Sequence, residues 1–196
     1  MKSISFFDFD GTITKKDSLV EFIQFSLSKR IYYTGLFKLS LVLIAYTFKI
    51  IPNYVAKEIF LSHFFVGWNE KDFQNIADEY AVTQIDKIVR PIAIKKIQWH
   101  KKQGHKVVIV SASIESWLKK WCEKNNIDLI ATRLEVQDKK ITGKFATKNC
   151  YGMEKVNRIQ KKYKLSEYEC IYAYGDSRGD KEMLELANKP FYKPFR

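Results

Sequence analysis

The chain has 196 residues, 46% of them hydrophobic and 29% charged. That suffices for one compact domain with a core, plus a small insertion, and excludes a disordered chain. A net charge of +12 favours an anionic partner (nucleic acid, an acidic membrane or a phosphorylated substrate), and solubility alone explains it equally well.

Cys122, Cys150 and Cys170 cannot all pair and show no CxxC spacing, so they read as free thiols of a reducing compartment. None of His63, His100 and His105 lies near a cysteine, which argues against zinc. The first apolar run, residues 4–7, ends at Asp8. It is too short for a signal peptide, so a cytoplasmic location is expected.

In chain order, "SISFF" (3–7) reads as a buried strand. Residues 15–91 then carry helical patterns with no convincing strand. Pro52 divides two of these helices, and Pro91 opens a helix over 91–104 that Gly104 ends. "KVVIV" (106–110), "DLIAT" (128–132) and "CIYAY" (170–174) read as further buried strands. Helices are expected over 114–126, 153–164 and 181–189. "LEVQDKKITGKF" (134–145) alternates apolar and polar residues and reads as a β-hairpin beside the sheet. The expected fold is α/β: a doubly wound, mostly parallel Rossmann-like sheet. Its core is expected over 1–14 and 92–196, with an inserted α-helical cap over 15–91.

Ligands of open α/β sheets bind at the carboxyl ends of the strands. Strand one is followed by Asp8, Asp10, Gly11 and Thr12, "KVVIV" by Ser111 and Ala112, and "CIYAY" by Asp176 and Asp180; Lys155 opens the preceding helix. Carboxylates gathered this way need a cation, and hard oxygen ligands suit Mg²⁺. Lys155, Ser111 and the backbone amides near Gly11 and Thr12 are donors for an anion. Two mechanisms fit. Asp8 attacks phosphorus and forms an aspartyl-phosphate, or the carboxylates only hold metal while activated water attacks. The two-residue spacing of Asp8 and Asp10 favours the first, with Asp10 moving the proton.

"DFDGT", "VSAS", Lys155 and "GDSRGD", in this order, resemble the four motifs of the haloacid dehalogenase superfamily of phosphohydrolases. The resemblance runs from residue 4 to about residue 190 and implies that fold. It implies Asp8 as nucleophile and Asp10 as general acid/base, with Ser111 and Lys155 gripping the phosphoryl oxygens. Asp8, the main-chain carbonyl of Asp10 and Asp176 would bind Mg²⁺, with Asp180 supporting the metal directly or through water.

The helical insertion, "NCYGMEKVNRI" and the hairpin are similar to the phosphoserine phosphatase-like subfamily, which implies a cap that covers the site and selects substrate. Asp17 would then face the leaving group; it also suits the start of the first cap helix. No arginine lies between Ile31 and Val89, where that subfamily reads a carboxylate; Lys49 and Lys57 are the substitutes on offer, but a lysine is not a bidentate fork, which argues against serine phosphate as the substrate. Gly179 replaces the asparagine often found before the last aspartate. The cap also resembles that of the phosphatidylglycerophosphatase C group. Residues 22–57 hold no acidic residue, and Lys29, Arg30, Lys38, Lys49 and Lys57 punctuate a strongly apolar run. Residues 29–57 would therefore touch an anionic membrane surface, or form the cap's own core or a dimer face.

The reading is a Mg²⁺-dependent hydrolase of a small-molecule or lipid phosphate monoester, with a non-catalytic basic binding protein as the alternative. No nucleic-acid recognition motif is present, and the aromatics fall in apolar runs rather than among basic residues. The oligomeric state stays open.

Overall fold

The computed structural model describes residues 2–196. Seven strands occur among them: β1 (Ser3–Phe7), β2 (Lys106–Ile114), β3 (Asp128–Thr132), β4 (Leu134–Gln137), β5 (Lys140–Phe145), β6 (Cys170–Gly175) and β7 (Lys189–Tyr192). The helices are α1 (Ser18–Ser26), α2 (Lys29–Lys38), α3 (Ser40–Thr47), α4 (Asn53–Phe65), α5 (Glu70–Thr83), α6 (Ile85–Ile88), α7 (Pro91–Lys102), α8 (Glu115–Lys124), α9 (Met153–Lys162) and α10 (Lys181–Glu185). No helix is long and apolar enough to cross a membrane among the described residues.

The main sheet has five strands in the order β3-β2-β1-β6-β7, all parallel. Every residue of the central strand β1 is buried, as a parallel strand covered on both faces requires. Period-two alternation splits its side chains. Ile4 and Phe6 join Val108, Val110, Ile159 and Met183 on one face, whereas Phe7 joins Ile97, Ile109, Trp117 and Trp121 on the other.

The second of these clusters runs on into the helices between β1 and β2, through Phe22, Phe65, Phe73 and Tyr80. Phe22 stacks on Trp117 of α8 at a centroid distance of 4.7 Å. The chain enters and leaves this helical segment side by side: Lys15 donates to the Ile88 carbonyl (2.8 Å) and Arg90 to the Ile13 carbonyl (2.8 Å). Pro52 caps α4 and Pro91 is its helix's first residue, as expected.

Three details depart from the sequence reading. The strand expected to end at 110 continues to Ile114, with a register shift after Ser111. The helix expected over 181–189 ends at Glu185, and Lys189–Tyr192 instead forms the edge strand β7, where Pro190 costs no ladder partner. The hairpin β4–β5 forms its own small sheet and backs onto the helical segment rather than the main sheet. Gly67 and Glu70 donate to the Ile141 and Lys139 carbonyls (2.9 and 2.8 Å). Gly143 crosses so close to Ser62 that an added Cβ would lie 2.3 Å from its Cα.

His100 of α7 is fully buried. Its Nε2 pairs with the Tyr174 hydroxyl (2.9 Å) and its Nδ1 with His105 Nδ1 (2.8 Å); Tyr172 packs on its ring. Burial, then the charges of His105 and Lys96, push its pKa down to about 3. An unfolded chain binds this proton near the ordinary pKa of about 6.5, while the folded chain refuses it until far lower pH. This group's share of the stability is therefore expected to fall as pH drops below about 6.5, by up to about 1.4 kcal/mol per pH unit. Urea unfolding at about pH 7 and about pH 5 checks this. Between these pH values the parent should lose stability relative to His100→Gln, and an identical pH dependence in the two proteins would remove His100 as a contributor.

Candidate active site

The site assembles where β1, β2 and β6 end. Asp8 donates its N–H to the Tyr174 carbonyl (2.9 Å), which extends the β1–β6 ladder by one residue and fixes the Asp8 side chain. The chain then turns sharply through Phe9–Ile13. Gly11 is needed there twice over. Its φ is +81°, and an added Cβ would lie 2.5 Å from Asp176 Oδ2.

Asp8, Asp176 and Asp180 offer oxygens within 4.8 Å of one another. Lys155, on the first turn of α9, is 1% exposed. It donates to Asp8 Oδ1 (2.7 Å), Asp180 Oδ1 (2.6 Å) and the Val110 carbonyl (2.7 Å). The Thr12 hydroxyl lies between Asp8 Oδ2 (3.0 Å) and Asp176 Oδ1 (3.2 Å). The second oxygen of Asp180 accepts from the backbone N–H of Asp176 (3.1 Å) and from the N–H (2.9 Å) and hydroxyl (2.8 Å) of Ser177. The Arg196 guanidinium meets Asp176 Oδ2.

Asp10 is held by a different set. Its Oδ1 accepts from the Ser18 N–H (2.8 Å) and its Oδ2 from the hydroxyls of Ser18 (3.1 Å) and Ser113. Trp117 Nε1 donates to the Ser18 hydroxyl (3.2 Å) and fixes it in turn. So two aspartates two residues apart reach the same site on separate supports.

Burial raises the Asp8 carboxyl to about 7; Lys155 opposes this, while Asp180 and Asp10 add to it. Burial also raises Asp10 to about 6, with the charge of Asp17 adding. Burial pushes Asp180 up as well, but Lys155 and Ser177 together outweigh it and hold it below the usual carboxylate range. The raised Asp8 shows that one lysine leaves this cluster short of positive charge. An all-oxygen set with that deficit fits a hard divalent cation such as Mg²⁺.

Asp8, Asp10, Lys155 and Asp180 line a cavity of about 620 Å³ that also takes in Ser111 and Ala112; Asp176 lies beside Asp8 and Asp180 but not on its wall. From the helical segment come Asp17, Lys49 and Lys57. Asp17 caps α1 through Leu19 N–H (2.9 Å) and Val20 N–H (3.3 Å) and also lines the cavity. Lys57 is anchored on the Ala112 carbonyl (3.3 Å). Gly11 and Thr12 sit behind the carboxylates rather than on the cavity wall. The Gly11 N–H, expected to be free for an anion, donates to the Thr14 hydroxyl (3.3 Å). Sequence reasoning missed Ser18 and Ser113 as holders of Asp10, and Tyr151, Ser177 and Arg178 on the wall. Only the second serine of "VSAS" gave a hint.

The sequence matches the family model of haloacid dehalogenase-like hydrolases over residues 5–185, and the chain belongs to that family. Among its relatives, the protein CicA of Caulobacter vibrioides is 33% identical over 192 residues, covering 97% of this chain and 85% of CicA. A Mycobacterium tuberculosis protein named as a probable phosphatase is 30% identical over 195 residues, covering 94% of this chain and 66% of that protein. A solved structure of a protein of unknown function from Bordetella pertussis superposes with a TM-score of 0.85 at 19% identity, over 97% of this chain and 89% of that one. A phosphoserine phosphatase solved as a phospho-aspartyl intermediate analogue gives 0.66 at 19% identity, over 95% and 83%. At these identities the two structures share the fold.

Lys155 is paired with two carboxylates in a buried place. Lys155→Met is expected to lower the unfolding free energy by about 3–5 kcal/mol, the cost of stranding a buried charge. Urea denaturation in metal-free buffer measures it; a loss under about 1 kcal/mol would show that the cluster does not depend on the lysine.

Proposed function

We propose that the chain is a Mg²⁺-dependent phosphatase that hydrolyses a phosphate monoester through an aspartyl-phosphate on Asp8. The observation that carries this is the separate anchoring of Asp8 and Asp10 at one cavity. One carboxylate beside Lys155 suits attack, and another, held by Ser18 and Ser113, suits proton transfer. A carboxylate oxygen of Asp8 forms a bond to phosphorus as the ester P–O bond breaks, and Asp10 gives its proton to the leaving oxygen. Asp10, now ionised, takes a proton from water as that water attacks the phosphoryl group; inorganic phosphate leaves and Asp8 is restored. Ser111 and Lys155 hold the phosphoryl oxygens, with the backbone at Ala112 nearby.

Asp8, Asp176 and the Asp10 carbonyl would hold Mg²⁺, with Asp180 supporting them. When bound, the ion offsets the negative charge shared by carboxylates and phosphoryl oxygens.

The helices of residues 15–91 act in this reading as a cap that excludes water and selects the leaving group. Asp17 on the cavity wall supports an amine-bearing leaving group like that of phosphoserine. The absence of a cap arginine turns the reading towards a lipid phosphate. So does the outer surface: Phe37, Leu41, Phe48 and Ile50 are each more than 70% exposed on a stretch with no acidic residue. A surface of this kind suits peripheral contact with an anionic membrane. The alternative, a basic binding protein without catalysis, leaves the Asp10 supports without a purpose.

p-Nitrophenyl phosphate should be hydrolysed with Mg²⁺, not with EDTA, and at least ~10³-fold more slowly by Asp8→Asn. Activity surviving EDTA or the substitution contradicts the mechanism. Co-sedimentation with phosphatidylglycerol vesicles at low salt tests the membrane contact, and no binding there removes it.

A further inference from the structure

Residues 193–196 leave β7 and turn back over the end of β6. Lys193 makes the turn with φ +51°, and its N–H donates to the Gly175 carbonyl (2.8 Å). Phe195 then joins a column of near-parallel rings. It stacks on Tyr174 at a centroid distance of 5.7 Å, and Tyr174 stacks on Phe7 at 4.2 Å. An arm anchored by both backbone and ring thus delivers Arg196 to one place. There its guanidinium pairs with Asp176 Oδ2.

The carboxylates of the site divide their cations. Lys155 pairs with Asp8 and Asp180. Among the described residues, the ion pair of Asp176 is with Arg196 instead. Both oxygens of Asp176 already have a donor, Thr12 on Oδ1 (3.2 Å) and Arg196 on Oδ2. Oδ2 is also the oxygen nearer Gly11, where a Cβ would lie 2.5 Å from it and 3.1 Å from Oδ1. It thus lies beside the residue that follows the Asp10 carbonyl of the proposed Mg²⁺ set. The two donors differ in how easily they leave. Thr12 is 1% exposed and bonded to Asp8 as well. The Arg196 side chain is 47% exposed and meets water as soon as it swings away.

We infer that Arg196 is a built-in rival of the metal: its guanidinium holds Asp176 Oδ2 when no divalent cation is bound, and gives way when one binds. The inference rests on the Mg²⁺ reading above and adds a control on the loading of that site. A guanidinium and a dication on one carboxylate repel each other at close range, so each weakens the hold of the other. Such coupling is reciprocal: what Arg196 subtracts from metal affinity, the metal subtracts from the docking of Arg196. Phe195 stays in its ring column, so the movement is that of one side chain. The protein then loads Mg²⁺ at a higher concentration than its carboxylates alone require.

The test is titration of the substrate-free protein with Mg²⁺ at low salt, followed by isothermal calorimetry. Arg196→Gln removes the charge at a half-exposed position and should bind Mg²⁺ at least about fivefold more tightly than the parent, the lower end of usual couplings between two sites. Arg196→Lys, which keeps a positive charge, should fall between the two. Phe195→Ala, which frees the arm from its ring column, should shift affinity in the same direction as Arg196→Gln. The gap between the parent and Arg196→Gln should narrow at high salt, which screens exposed charge. Equal affinity in these two proteins overturns the inference. So does weaker binding by Arg196→Gln, which would make Arg196 a support of Asp176 rather than a rival of the metal. Either result leaves the Mg²⁺ site and the phosphatase reading standing. If neither protein binds Mg²⁺ or hydrolyses p-nitrophenyl phosphate, that reading falls and the inference with it.

Discussion

The site depends on one buried ammonium. Lys155 sits between Asp8 and Asp180 with a third bond to the Val110 carbonyl. Carboxylates crowded together at low solvent exposure repel one another and resist ionisation. The lysine supplies one positive charge, which holds Asp180 ionised but leaves Asp8 raised. That raised carboxyl is the physical argument for the proposed divalent cation and phosphoryl group at this place. The geometry of the rest serves this arrangement: Gly11 clears space for Asp176, and at Gly175 an added Cβ would lie 2.4 Å from that of Asp180.

The same economy governs how the helical segment meets the sheet. Asp10 is not supported from its own strand but by Ser18, the first residue of α1, and by Ser113 at the end of β2. Ser18 is pinned by Trp117, which also stacks on Phe22 of α1. Asp10, the proposed general acid/base, is thus oriented by the contact between the helical segment and the core. In the proposed mechanism, leaving-group selection and proton transfer therefore share one set of side chains, and changes in the packing around Phe22 would be felt at Asp10.

Much of this was legible in the sequence, because buried parallel strands leave short apolar runs and their carboxyl ends name the site. Asp8, Asp10, Ser111, Lys155 and Asp180 line one cavity, with Asp176 beside Asp8 and Asp180. What escaped has identifiable causes. β7 begins at Lys189 within a helix-like stretch and contains Pro190, so neither period nor propensity marks it. The hairpin alternates as an exposed ribbon does, and alternation does not say which neighbour it will lie against. Hydrogen bonds from distant serines to Asp10 have no local signature at all. The apolar run of 29–57 showed that something unusual happens in the helical segment, but only the folded chain reveals which of its side chains stay exposed.

The central claim is that phosphate passes through Asp8 while Asp10 moves the proton. An activated ester such as p-nitrophenyl phosphate needs little help with its leaving group, so Asp10→Asn should still be phosphorylated but slow to react with water. Acid quenching of that variant with the labelled ester, followed by peptide mapping, measures this directly. The account predicts phosphate on the peptide containing Asp8, labile to alkali and reduced by borohydride at that residue. Quenched protein that carries no phosphate, or carries it on another side chain, would contradict it.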